Sequence, residues 1–408
     1  MNVVVIGGGA SGLIAAGRSA ETGNKVILLE KNEKLGKKLY ITGKGRCNLT
    51  NVGEDLFSNI VRNEKFLYSA FKHFSVNDTI KFFNDLGLNT KIERGNRVFP
   101  ISDKSSDVIK ALESYCKKNS VQICLNTEVV SIQKNNNEFI VNTKNGRYEC
   151  DAVILSTGGV SYPLTGSTGS GYEFALKLGH NIIELKSALC PIVLKDEYIS
   201  SWEGISLKNV ELKAYKDNKL IKSLFGEMLF TKNGISGPIA LSMSSYINRL
   251  NNIYLKLDFK PALSLQQIDN RLLREIDLNK NMETKSLIRK LLPNNIVEQF
   301  LNVAKISLTK KVNSLTKEER CVIANLLKNY PLTYKCLEKI DYSIVTSGGV
   351  DCKQVNPKTM ESKIVENLFF TGEILDLDAL TGGYNLQIAW STGYLAGSSI
   401  GRAYDNRI

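Results

Sequence analysis

Near the amino terminus stands Gly7-Gly8-Gly9-Ala10-Ser11-Gly12, and Glu30 follows eighteen residues beyond Gly12. Glycines in G-x-G-x-x-G spacing, with an acid about 20 residues on, suit the chemistry of a dinucleotide. Gly7 permits a tight turn, Gly9 puts no side chain in the way of a diphosphate, and Gly12 lets a helix pack closely on a strand. Ala10 and Ser11 fall at the helix start, where free N–H groups and the positive dipole end attract an anion. Glu30 would accept from a ribose hydroxyl, and Lys31 adjoins it. The spacing alone is weak evidence; the surrounding elements make it strong. Residues 2–6 are an apolar run of strand length, a small-residue helical stretch reaches Thr22, and residues 25–29 form a second apolar strand ending on Glu30. Strand, glycine turn, helix, strand and acid are the context the fingerprint requires.

Three further stretches carry candidate ligand-binding residues. The segment from Gly36 to Asn51 places Lys38 before a loop in which Gly43 and Gly45 flank Lys44, followed by Arg46, Cys47 and Asn48. A backbone this permissive can lie flat against a ligand. A long cofactor lying along the domain would pass here. Residues 152–155 form a strand running into Ser156-Thr157-Gly158-Gly159. Residues 368–370 do the same into Thr371-Gly372-Glu373, with Asp376 close behind and Thr381-Gly382-Gly383-Tyr384-Asn385-Leu386-Gln387 beyond. A strand-end Gly-Glu and a nearby Asp suit a polyol chain, whose hydroxyls want acceptors. A helix starting near Asn385 would present its positive end to a group that becomes anionic on reduction, such as the N1–C2=O edge of a flavin.

Composition narrows the class. The chain has 408 residues, room for two or three domains, with 43% apolar and 23% charged residues, enough to bury a full core. No run of eighteen apolar residues marks a spanning helix. Met1 leads directly into the first strand, without a basic leader or cleavage site, so the expectation is a cytoplasmic protein away from membranes. None of the eight cysteines is in C-x-x-C spacing or beside a histidine. No metal site and no dithiol centre are expected. Neither His73 nor His180 is read as a base; His180 follows Leu178-Gly179 at a helix end and reads as a cap. Net charge is +12, and residues 261–340 carry +6 of it. Basic and acidic residues are interspersed there without clustered aromatics, so a solvated helical face is favoured over nucleic acid.

Texture along the chain divides it. Helical spacing runs from Phe57 to about Leu88 and over 107–118, with strands at 121–125, 128–133, 138–143 and 152–155. Alternation typical of antiparallel sheet begins near Ala188, in 191–194, 206–215, 219–225 and 253–259. Helical spacing takes over from Leu263 to about Lys328, sheet returns near 342–345, and a small-residue helix covers about 385–397. The expected organisation is α/β. Residues 1–187 and 341–408 make a discontinuous cofactor domain, 188–262 with 331–340 an inserted antiparallel β domain, and 263–330 a helical subdomain.

The chain resembles the bacterial FAD-binding oxidoreductases of the BaiN-like or aminoacetone-oxidase-like kind over nearly its whole length. The resemblance rests on the opening fingerprint, Thr42 to Asn51, and Ser156-Thr157-Gly158-Gly159 with Ser161-Tyr162-Pro163 and 166–171. It continues in Gly226 to Thr231, Gly234 to Pro238, Ser347 to Val350, Thr359 to Lys363 and Gly372 to Gly393. Lys44 departs from the small residue common in the family. The resemblance implies a glutathione-reductase-type FAD fold with an inserted β-barrel-like domain. By position it implies that Gly7, Gly9 and Gly12 serve the diphosphate and Glu30 the adenosine ribose. Arg46, Cys47 and Asn48 would lie along the cofactor, and Val129 would meet adenine through its backbone. Thr157 and Gly158 would line the cofactor edge, Asp376 would bind the ribityl chain, and Asn385, Leu386 and Gln387 would approach the flavin ring. Ala10, Ser11, Lys31, Lys38, Gly43, Gly45, Gly159, Gly372, Glu373 and Gly383 complete the expected cofactor-binding set.

The expected function is hydride transfer between a small organic substrate and non-covalently bound FAD, which carries the redox chemistry. A tRNA-modifying flavoprotein and a non-enzymatic flavin-binding protein are the alternatives. Only one G-x-G-x-x-G stands in strand–turn–helix context, so NAD(P)H would enter the substrate cleft transiently rather than own a domain. The substrate is expected between the flavin and the insert, because pockets favour domain interfaces. Catalytic residues and oligomeric state are not legible.

Overall fold

Residues 2–6, 25–29, 152–155 and 368–370 are near-continuous apolar runs, the texture of strands covered on both faces. The computed structural model describes residues 1–401. In it these strands join Gln122–Cys124 in one sheet, ordered 368–370, 152–155, 2–6, 25–29, 122–124, with every neighbouring pair parallel. Ile6 pairs with Leu29 on one side and Leu155 on the other, and Leu155 pairs with Phe370. The four strands thus end level, and the segments holding Gly7, Glu30, Thr157 and Gly372 leave from the same edge. Ligands of open α/β sheets bind at this edge.

Two helices stand behind that edge. Ala10–Glu21 follows the first strand and Tyr384–Ser399 closes the fold. They cross closely: a Cβ on Gly393 would lie 2.5 Å from the carbonyl oxygen of Ser11. The closing helix is apolar or small on almost every side, with Trp390, Ser391 and Thr392 fully buried, as a core helix requires. Ser105–Lys118 packs its Tyr115 ring against Gly17 of the opening helix. Val129–Asn135, Glu138–Thr143 and Gly146–Cys150 form an antiparallel meander. One hydrophobic cluster, from Val3 to Ile400, holds all of this together.

The chain divides into two compact units, one of residues 1–186 with the chain from 340 onward, the other Ser187–Lys339. The second unit holds a seven-stranded sheet ordered 330–332, 253–258, 206–216, 219–231, 234–236, 192–194, 334–337. All of its pairings are antiparallel, so among the described residues it contains no second parallel nucleotide-binding sheet. Its helices Leu265–Leu278 and Lys317–Lys328 each open on a capping box, Ser264 with Gln267 and Thr316 with Glu319. Leu287, Phe300 and Leu327 of the helices share one cluster with Leu212, Leu255 and Leu257 of the sheet. The helical residues 263–330 therefore have no separate core; they cover the sheet.

Several elements differ from the sequence reading, among them those near residues 340–350 and 238–247. Residues 340–342 form a 3₁₀ turn, and the strand runs over Val345–Val350 with every residue buried. Its Ser347-Gly348-Gly349 lacks β propensity, and tertiary packing supplies what propensity does not. Pro238–Ile247 is a helix read from sequence only as a glycine-rich motif. Pro238 stands in its first turn, where a missing N–H costs nothing. No helix among the described residues is long and apolar enough to cross a membrane.

Candidate cofactor site

The opening turn has the geometry its glycines suggest. Gly7 adopts φ +106, and a Cβ there would meet the Ser156 carbonyl oxygen at 2.5 Å. A Cβ on Gly12 would lie 1.9 Å from the Gly7 carbonyl oxygen, so helix and strand end touch backbone to backbone. Around Gly9 nothing lies within 4 Å of a Cβ. The helix that starts at Ala10 has no side-chain cap, and its first-turn amides have no intrahelical acceptor. Open space, free donors and a positive dipole end thus coincide in one place.

Glu30 closes one side. It is buried; Oε2 accepts from Gly8 N at 2.8 Å, and Oε1 accepts from the Asn32 backbone N at 2.8 Å and Asn32 Nδ2 at 2.7 Å. Lys31 donates to Thr168 Oγ1 at 2.8 Å. Burial lowers its pKa, against the opposing pull of Glu128 and Glu30. Val129 is buried at the start of its strand, and the register slips between it and Ser131.

The opposite side is built from the other strand ends. Ser156 and Thr371 share a hydrogen bond between hydroxyls at 2.7 Å. Gly372, at φ +71, approaches Ser11 so closely that a Cβ would meet its Oγ at 2.6 Å. Glu373 accepts from Lys38 Nζ at 2.9 and 2.6 Å, from the Thr346 backbone N at 2.8 Å and from Ser161 Oγ at 3.1 Å. Ser161 and Thr346 were not among the expected site residues. Their only sequence signal was membership of glycine- and serine-rich stretches.

Several residues of the expected cofactor set are also tied into the walls by bonds within the protein. Arg46 stacks on Phe99, and its guanidinium is held by Glu93 and Asp103 with Lys91 beside them; these hydrogen bonds raise its pKa. It ties the Gly43–Gly45 loop, with Lys44 and Cys47 at positive φ, to the strands Thr90–Glu93 and Arg97–Pro100. Cys47 is fully buried and burial pushes its thiol up to about 12. Asp376, expected at a ribityl chain, gives both carboxylate oxygens to Arg62 at 2.7 Å and one also to Asn63 at 2.9 Å. Asn385 bonds both polar atoms of its amide to Ala379, and Gly383 caps the closing helix. Leu386 packs on the core. Gln387 corrects the expectation of a ring contact: fully buried, it accepts from Thr50 and Thr79 and donates to Phe74 and Ser391.

Fold and strand-edge site together define a Rossmann-type dinucleotide-binding protein. Residues 1–399 match the model of the HI0933-like protein Rossmann domain, and the chain belongs to that family of FAD-binding oxidoreductases. It is 31% identical over 96% of its length, and 97% of the relative's, to a 3-dehydro-bile acid delta(4,6)-reductase of Clostridium scindens. It is 29% identical to a ribosomal RNA dihydrouridine synthase of Haemophilus influenzae, over 98% of each chain. A solved 3-ketosteroid-delta4-(5alpha)-dehydrogenase from Rhodococcus jostii RHA1 shares the fold at TM-score 0.51 and 14% identity, over 97% of this chain and 96% of that one.

The residues present fit FAD. Nothing crowds Gly9 at the helix start, as a diphosphate there would require, and buried Glu30 ends the second strand, the position of a ribose acceptor in this fold. Buried Asn48 Oδ1 and Thr157 Oγ1, on the two loops expected along the cofactor, have no hydrogen-bond partner. Buried polar atoms without a partner are costly, and a donor-bearing ligand along this loop would satisfy Asn48 Oδ1, whereas Thr157 Oγ1 packs against Gly171.

Proposed function

We propose that the protein is a reductase of the BaiN-like kind that holds FAD non-covalently and saturates a carbon–carbon double bond conjugated to a carbonyl. The open helix start beside Gly9, Glu30 and Glu373 carries the cofactor half of this reading. The substrate half rests on what two full-length relatives have in common. A delta(4,6)-reduction next to a 3-oxo group and the conversion of uridine to dihydrouridine are the same chemistry on different molecules. When bound, reduced flavin supplies a hydride for the carbon distal to the carbonyl, and a proton completes the carbon next to it. The chain's own contribution is to grip the dinucleotide at Gly7–Gly12 and Glu30 and to hold the loop at Gly43–Asn48 rigid through Arg46. Cys47 is fully buried, so its sulfur is not presented for a thioether link to the flavin. NAD(P)H is the proposed electron donor, entering transiently, since the second unit's sheet is antiparallel throughout.

A small organic substrate is the first reading. An RNA base is the second, favoured by one observation: residues 187–339 hold 24 Lys and Arg against 15 Asp and Glu, a net +9 of the chain's +12. Such a charge attracts a phosphate backbone. The experiment is anaerobic. Protein reduced with dithionite is mixed with a 3-oxo-4,6-diene steroid or with unmodified ribosomal RNA, and flavin reoxidation is followed optically. Reoxidation by the steroid supports the first reading and reoxidation by RNA the second. No reoxidation by either, with FAD bound, refutes the conjugated-alkene reading.

A further inference from the structure

The segment that follows Thr157–Gly159 leaves the end of the strand 152–155 and comes back to it. At its start, Val160 N and Ser161 N both donate to Thr346 Oγ1, at 2.9 and 3.2 Å. At its finish, the helix Ser170–Lys177 begins so close to the strand end that a Cβ on Gly171 would lie 1.9 Å from Thr157 Oγ1. Residues 160–169 thus form a loop with neighbouring ends, of the Ω kind. Within it, Thr165 N and Oγ1 donate to the Tyr162 carbonyl at 2.8 and 2.7 Å, and Gly166 N donates to that of Pro163 at 2.9 Å. These bonds make its tip a small unit of fixed shape.

That tip is moored across the sheet edge. Lys31 Nζ donates to Thr168 Oγ1 at 2.8 Å, and Asn32 Nδ2 donates to the Thr165 carbonyl at 3.1 Å. Lys31 and Asn32 follow the strand 25–29, and the strand 2–6 lies between 25–29 and 152–155. A loop rooted at one flanking strand and moored beyond the other spans the end of the strand between them, where the Gly7–Gly12 turn begins. The turn itself touches both supports: a Cβ on Gly7 would lie 3.2 Å from Thr157 Cα, and one on Gly8 3.1 Å from Glu30 Oε2. The mooring is polar. Leu164 is 94% exposed and Thr168 also faces solvent, so releasing the tip uncovers no apolar core. Gly169, at φ +85 where the loop meets the helix, is placed to absorb a change of backbone angle.

We propose that residues 160–169 are a latch over the cofactor's diphosphate, closed by the Lys31–Thr168 and Asn32–Thr165 bonds and opened whenever FAD enters or leaves. This rests on the reading of the site as one for FAD. The mooring bonds are made within the protein, so they must break for entry and for exit alike. Loosening them raises both rates and leaves affinity nearly unchanged. A residue that held the ligand directly would instead lower affinity through faster exit alone. Gly166 offers an independent way to loosen the latch. A Cβ there would lie 2.6 Å from Asn32 Nδ2 and 3.1 Å from Lys31 Cε, a wedge between tip and mooring.

The test mixes FAD with apoprotein by stopped flow and reads association from quenching of flavin fluorescence. Dissociation is read from the recovery of fluorescence when holoprotein is diluted, with apoprotein melting temperatures alongside. Thr168→Val removes one mooring bond and keeps the side-chain size. Both rates should rise about 3- to 10-fold, the scale of one net hydrogen bond, with Kd within about threefold of wild type. Gly166→Ala should raise both rates at least as much. Association that fails to rise in either folded variant overturns the proposal, and faster dissociation without it assigns the loop a direct contact with FAD. Dissociation that stays at the wild-type rate overturns the proposal as well. If Gly166→Ala gives no cooperative melt, Thr168→Val decides alone. Wild-type apoprotein that takes up no FAD sinks the underlying reading instead.

Discussion

Glu30 Oε2 and the backbone nitrogen of Gly8 lie 2.8 Å apart, joining the end of the second strand to the glycine turn that follows the first. The acid expected to hold a ribose is therefore also a strut of the diphosphate turn. Glu30→Gln should keep part of this bond, whereas Glu30→Ala removes both the strut and the ribose acceptor. A buried hydrogen bond to a charged group contributes about 1.5–3 kcal/mol. FAD affinity should thus fall roughly 10- to 100-fold in Glu30→Ala and less in Glu30→Gln. Calorimetric titration of the apoproteins measures both, and equal affinities for the two variants would contradict the dual role.

Gly9 and Gly12 separate binding from folding. Gly9 has an ordinary φ of −87 and open space around a Cβ, so Gly9→Ala should fold with a melting temperature near wild type. The new methyl projects into the proposed diphosphate path, and FAD affinity should fall at least about tenfold, since even small volume changes are felt in close-packed sites. Gly12→Ala places a methyl 1.9 Å from the Gly7 carbonyl oxygen, and apoprotein stability should fall sharply. Thermal melts with and without FAD distinguish the two. Unimpaired FAD binding in Gly9→Ala would show that the ligand passes elsewhere.

His180 predicts an acid-side loss of stability. Its backbone N donates to the Ala175 carbonyl at 2.9 Å, after Gly179 at φ +90, in a helix-ending motif. Ser362 Oγ accepts from Ile364 N and Val365 N, so its hydroxyl is left to donate to His180 Nε2 at 2.7 Å. The ring is thereby kept neutral, and burial lowers its pKa. A folded pKa below the unfolded one means that the unfolded chain binds more protons. Stability is then full above the unfolded value of about 6.5 and declines as pH falls through it. Urea melts at pH 7.5 and 5.5 should show the decline, and His180→Gln should reduce the difference between the two. A pH difference unchanged in that variant would assign it to other groups.

Arg46 anchors the loop that holds Lys44 and Cys47 at positive φ, a conformation that costs energy unless the surroundings impose it. Lysine keeps the charge but not the fork that spans Glu93 and Asp103. Arg46→Lys should therefore accelerate limited trypsin cleavage after Lys44 several-fold in the apoprotein. FAD should suppress much of that increase. Cleavage at the wild-type rate would mean that the loop is held by other contacts.

The cofactor end of the site was legible because its chemistry is local. Strand, glycine turn, helix and acid lie within thirty consecutive residues, and hydrophobic run length and glycine spacing report them directly. The closing helix and the change of texture near Ala188 were readable for the same reason. What individual side chains do was decided by the tertiary structure, because it depends on partners far along the chain. Gln387 looked like a ring contact until Thr50 and Thr79, more than 300 residues earlier, were seen to surround it. That Asp376 gives both of its oxygens to Arg62, 314 positions earlier, no local pattern could show. Lys38 and Glu373 stand 335 positions apart, and only the level ends of the parallel strands bring them within 2.6 Å. Sequence determines which residues can bond; the sheet register decides which of them meet.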